Sequence, residues 1–205
     1  MAPVSRLEGP TRPARSARGS RRGFTLVELL TVVAMIGILA ALALIGYHKQ
    51  MNAAHTSEPR AMIQSIRAHE ESYKGEMGVY LGCSQNMQSD WFPTTNPAAN
   101  LKFNWENTGH NEWPCWSQLH LSADAPVRFG YSLMSGPAGA PFGSGNPPMP
   151  ALNSNFVHPP VWPNPVPNPW YVVEAGADRD NNGTWALFVG SSLQGQEIYF
   201  ENETE

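Results

Sequence analysis
The hydrophobic pattern divides the chain before any single residue does. Residues 1–22 are rich in Arg, Pro, Ser and Gly and show no apolar period, which predicts disorder. From Phe24 to Tyr47 the chain turns almost wholly apolar, and Glu28 is the one charged residue in the run. As a helix these residues rise about 36 Å, enough to cross a bilayer. Residues 48–78 become polar but keep helical character, with Ala53, Ala54, Ala61, Met62, Ile66, Ala68 and Tyr73 as small and apolar positions. Met62, Ile66 and Tyr73 can share one helix face. Thr56 or Ser57 before Glu58-Pro59 has the form of a helix start, so a kink or restart is expected there. Gly75 and Gly78 mark the helix end.

Beyond residue 78 the pattern shortens. Val79-Tyr80-Leu81 reads as a brief extended piece, and residues 82–118 as a long loop carrying Trp91, Trp105, Trp113 and Trp116. Alternation over Val127–Leu133 suits a strand. Residues 136–169 hold eleven prolines and predict an extended excursion ending in Pro163-Asn-Pro-Val-Pro-Asn-Pro169. Trp170–Ala175 and Thr184–Val189 read as strands joined by a turn at Gly176–Gly183, and Gln196–Glu201 can close the sheet.

Charge adds a direction to this layout. Of 205 residues only 15% are charged, and the net charge is -4. Residues 1–23 carry six arginines against Glu8, whereas the chain from Phe24 onward holds 7 basic and 16 acidic residues. A basic segment before an apolar run keeps its own side of the membrane cytoplasmic. The acidic remainder argues against nucleic acid as a partner. If that remainder is exported, Cys83 and Cys115 are expected to form a disulfide; free thiols are the alternative.

The junction Arg21-Arg22-Gly23-Phe24-Thr25-Leu26-Val27-Glu28-Leu29-Leu30 resembles the processing site of type IV prepilins and pseudopilins. The resemblance is strong over residues 21–47, extends through the helix to about 80, and is architectural beyond. It implies cleavage by prepilin peptidase between Gly23 and Phe24, followed by N-methylation at Phe24. A glycine there lets a protease approach the backbone closely. It further implies that Glu28 of one subunit faces the Phe24 amine of another. A carboxylate inside a membrane helix costs about 2.5–3.5 kcal/mol on insertion scales, so it needs such a partner.

The implied fold is α+β: a long N-terminal transmembrane helix whose second half packs on a small antiparallel sheet, with long loops. The segments are a basic leader at 1–23, an assembly helix at 24–47, its amphipathic continuation at 48–78, and a head at 79–205. The implied function is that of a filament subunit: a pilin, minor pilin or type II secretion pseudopilin. Its partners would be identical or related subunits, prepilin peptidase, an inner-membrane assembly platform and the membrane. The precursor would sit in the inner membrane with a periplasmic head before entering a pilus or pseudopilus. Two departures stand out. The leader is long, and Ile45-Gly46 occupies the place where many relatives have a proline.

Other candidates are weaker. Asp178-Arg-Asp-Asn-Asn-Gly183 matches half of a calcium loop, and Asp178, Asp180 and Asn182 could offer oxygens; position 189 is Val where a closing acid is needed. A polar hairpin turn accounts for the same residues. No other cofactor is expected. The tryptophans suit either a loop-rich core or a binding platform on a membrane-tethered adhesin, the alternative function. His48, His55, His69, His110, His120 and His158 lack zinc-type spacing, and no catalytic constellation stands out, so no enzyme is expected.

Overall fold
The computed structural model describes residues 23–139, 152–163 and 166–203. The basic stretch before Gly23 and much of the Pro-rich excursion, Pro165 included, lie outside the described residues. The chain divides into two units, residues up to Leu44 and from Ile45 onward. Helix α1 (Leu26–His55) starts in the first and ends in the second, and its stretch Leu26–Leu44 has a mean hydropathy of 2.5 with no residue buried. A helix apolar on all sides finds no water-stable surface of its own.

The second unit contains helix α2 (Ser57–Met77), a short helix α3 (Trp113–Trp116), a 3-10 turn at Ser117–Leu119 and four strands. The strands are β1 (Gly130–Gly136), β2 (Trp170–Ala177), β3 (Ala186–Ser191) and β4 (Ile198–Glu201). They pair in sequence order, all antiparallel. The chain is therefore α+β, as expected from its sequence.

The expected restart falls at Ser57, with Pro59 in the first turn of α2, where its missing N–H costs nothing. Gly75 lies inside α2. Gly78 ends it, at φ 78°, donating its N–H to Lys74 O at 2.8 Å. Met62 and Ile66 are buried on the stripe facing the sheet, joined by Ile63; Ala61 and Ala68 face solvent. Tyr171, Val173, Ala175 and Phe188 complete that core. The helix comes down closest over β3. A Cβ on Gly190 would stand 2.6 Å from Ile63 Cγ2 and 3.1 Å from Arg67 Nε.

Among the described residues, loops cover the other sheet face. Trp170, Val172, Leu187 and Val189 form a second core with Met87, Phe156 and Val166, all from loops. Every residue of β2 is consequently buried, and Glu174 is the one charged residue among them. Strand β1 begins at Gly130, three residues later than the alternation suggested, because Val127 makes an isolated bridge to Phe103 instead. Residues 79–81 form no named strand. The chain just after them runs along β1, with Cys83 and Ser84 N–H groups both donating to Leu133 O.

Two acids that the pattern did not single out sit in these cores. Glu70 and Glu174 are fully buried. Glu70 Oε2 accepts the Leu81 N–H at 2.9 Å and so ties down the chain leaving α2. Both carboxylate oxygens of Glu174 accept the Asn153 N–H, at 3.2 and 3.3 Å, tying the 152–163 strap to β2. Burial pushes each carboxyl up to about 8. Both folded values stand above the reference value of 4.5. Stability held by the neutral carboxyls is therefore complete below that pH, declines as pH rises and is gone above about 8. Thermal denaturation of the detergent-solubilised chain should show this decline between about pH 5 and 8. Glu174→Gln, neutral throughout, should flatten it by one proton's worth, and an unchanged slope would contradict the assignment.

Candidate functional site
The candidate site begins where α1 begins. Gly23 and Phe24 precede the helix, and the Phe24 side chain is 80% exposed. Thr25 is the residue before the first helical turn, and Glu28 is the third residue within it. The Glu28 N–H donates to Thr25 Oγ1 at 3.2 Å, and the Thr25 hydroxyl lies 3.5 Å from Glu28 Oε2. Thr31 Oγ1 returns a bond to Glu28 O at 2.9 Å. This is a helix-capping arrangement, and the carboxylate also sits where the helix dipole favours negative charge. The sequence carried its signature, Thr-x-x-Glu before an apolar run, which the reading of Glu28 as an assembly residue overlooked.

Around this cap the surface is uniformly apolar. Leu26, Val27, Leu29, Leu30, Val33 and Ile36 are all at least 59% exposed. A single anionic group at one end of a bare apolar cylinder can do two things. It can seek a cation, and the cylinder can pack against lipid or against similar helices.

Residues 18–44 match the family model described as the prokaryotic N-terminal methylation motif. The N-terminal segment carries that motif. Three curated proteins extend the comparison. The type IV major pilin protein PilA of Myxococcus xanthus is 39% identical over 59 residues, covering 29% of this chain and 27% of that protein. The fimbrial protein EcpC of Eikenella corrodens is 37% identical over 60 residues, 29% of this chain and 39% of its own. The type II secretion system core protein G of Pseudomonas aeruginosa is 31% identical over 94 residues, 45% of this chain and 64% of its own. The chain thus spans only about a quarter to two-thirds of these relatives. No solved structure matches it.

Downstream of the methylation motif, Cys83 and Cys115 form the expected disulfide, with Cα atoms 5.5 Å apart. It joins the segment beside β1 to α3 and closes the aromatic loop. Phe92 lies at the centre, stacked on Trp116 at 5.2 Å and edge-on to Trp105 at 5.0 Å. Trp105 Nε1 donates to Leu121 O at 2.9 Å, and Trp116 Nε1 donates to Glu112 Oε2 at 3.1 Å. Trp91, Trp105, Trp116 and Trp170 are buried, so these indoles build the core and offer no binding platform.

The 178–183 segment forms the turn between β2 and β3. Asp178 oxygens accept the Asn182 and Gly183 N–H groups at 3.1 and 3.0 Å. Asp180 Oδ1 accepts the Asn182 N–H at 3.2 Å, and its Oδ2 accepts from Asn182 Nδ2 at 2.8 Å. Asn182 Oδ1 accepts the Thr184 N–H. These bonds are those a polar hairpin turn uses, and a calcium ion on Asp178, Asp180 and Asn182 would share its oxygens with them.

The disulfide spans a sequence separation of 32, for which loop closure predicts about 3.5–4 kcal/mol of stabilisation. Cys83→Ser with Cys115→Ser should lower unfolding free energy by up to that amount in denaturant titration, while a loss under about 1 kcal/mol would show that the aromatic core alone orders the loop.

Proposed function
We propose that this chain is a pilin-like filament subunit, inserted in the membrane as a precursor and assembled through α1. The observation that carries the reading is the combination at the N-terminus: a wholly exposed apolar helix, a single acid in its first turn, and the methylation motif spanning both. The pilin and secretion-protein relatives support the same reading. Its role is mechanical rather than catalytic.

On this reading prepilin peptidase cuts between Gly23 and Phe24 on the cytoplasmic side, and Phe24 is N-methylated. Cleavage creates an amine at Phe24 that the precursor does not have. Glu28 of one subunit then pairs with the Phe24 amine of another, inside a bundle of apolar helices. An ion pair in that low-dielectric setting fixes the stagger between neighbours, because an unpaired carboxylate would be expensive there. Thr25 steadies the Glu28 carboxylate within its own helix until the amine arrives. The inner-membrane platform and related subunits are the partners, and the head of each subunit lies outside the bundle.

Glu28→Ala in the producing cell should leave the protein in the membrane fraction but remove it from sheared filaments by more than about tenfold, in line with the loss of a desolvated charge partner. Undiminished recovery would sink the filament role. Mass analysis of the mature protein should find a chain starting at methylated Phe24, and an uncut leader in cells with active prepilin peptidase would overturn the processing step.

A further inference from the structure
The part of α2 that does not pack on the sheet borders a cleft of about 590 Å³. His69, Tyr73 and Glu76, on successive turns of α2, line one wall, and Ser117, Gln118 and His120 line the other. The volume lies within the range of small-molecule sites. Tyr73, Met77 and the buried Leu119 supply apolar surface between the polar groups. The disulfide at Cys115, two residues before Ser117, holds the second wall near the head.

Ser72, Tyr73 and His120 can donate or accept, whereas three other groups of this cleft are fixed chiefly as acceptors by bonds they already make. His69 Nδ1 lies 2.8 Å from Ser65 O, and a carbonyl only accepts. The neutral ring therefore carries its proton on Nδ1 and its lone pair on Nε2. Gln118 Nε2 donates to Pro114 O at 3.1 Å, leaving Oε1 as an acceptor. The Ser117 hydroxyl proton goes to the same carbonyl at 3.2 Å. Glu76, exposed, adds a carboxylate, and no Lys or Arg lines the cleft.

Such a lining selects against anions, which would meet Glu76 and find no cation. A neutral polyol would gain nothing from the Glu76 charge. An ammonium group would meet that carboxylate and could donate to His69 Nε2 and Gln118 Oε1. Its alkyl stem would lie along Tyr73, Met77 and Leu119, and a tyrosine ring attracts a cation. We propose that the cleft between α2 and the 117–120 turn binds alkylammonium groups, either a lysine side chain of another protein or a free diamine. The proposal does not depend on filament assembly.

Isothermal titration of the detergent-solubilised full chain tests it with three probes: cadaverine, Nα-acetyl-lysine methylamide and methyl glucoside. The amines should bind saturably with dissociation constants of about a millimolar or below. Glu76→Gln should weaken them about fivefold or more, and Gln118→Lys should abolish binding by placing a cation in the cleft. Asp124→Asn, an exposed acid outside the lining, should leave binding unchanged. Tighter binding of the acetylated lysine identifies a protein side chain as the source; tighter binding of cadaverine identifies a free diamine. The proposal is overturned if neither amine saturates by about 10 mM. It also falls if both cleft variants bind like the native chain, or if the glucoside binds better than either amine.

Discussion
The approach of α2 to β3 at Gly190 is the contact on which the head depends. Any side chain there would strike Ile63 and Arg67, so the glycine sets how close the helix can lie. That closeness buries Ile63 and Ile66 against Phe188 and Val173 in one core. It also brings the Arg67 guanidinium to the end of β3, where Nη2 donates to Ser191 O at 3.3 Å and Glu197 O at 2.8 Å. One side chain from the helix therefore bonds both the end of β3 and the chain entering β4. The sheet has only four strands, and its last is four residues long, so this cross-tie carries weight that ladder bonds alone would not.

Loops cover what the helix does not, and acids hold the loops. Glu58 accepts the Arg128 and Phe129 N–H groups where the chain enters β1. Glu70 holds Leu81, and Glu174 holds Asn153. Glu201 accepts the Val157 and His158 N–H groups at 2.7 and 3.1 Å. In each case a side-chain carboxyl replaces the ladder partner that an irregular backbone lacks, and at Glu70 and Glu174 the acid itself is fully buried. Burial raises the pKa of Glu58, Glu70 and Glu174, whereas the exposed bonds at Glu201 lower it. The same device thus acts in two electrostatic settings.

The N-terminal helix obeys the opposite economy. From Leu26 to Leu44 its side chains are exposed, and among the described residues its one acid is met by its own cap. None of the described residues covers that surface. The chain accordingly combines a head that closes on itself with a helix whose chemistry points outward.

These two parts were unequally legible. The apolar run, the Gly23-Phe24 junction, Glu28 and the restart at Ser57 are local signals, written in consecutive residues, and the sequence alone displayed them. So did the four strands, to within a few residues, and the pairing of the only two cysteines. The stripe Met62-Ile63-Ile66 could be continued by period to Arg67 and Glu70, but their polarity hid them as members of it. Whether Glu174 pointed to solvent or to a core depended on the 152–163 strap lying over β2, a contact between residues distant in sequence. The burial of Trp91, Trp105, Trp116 and Trp170, the Gly190 seat and the cleft beside α2 likewise arise only when separate segments meet. Local periodicity and motif chemistry determined the elements and the membrane-facing helix; the tertiary structure alone decided which polar groups are buried, because burial belongs to the packed whole and not to any stretch of the chain.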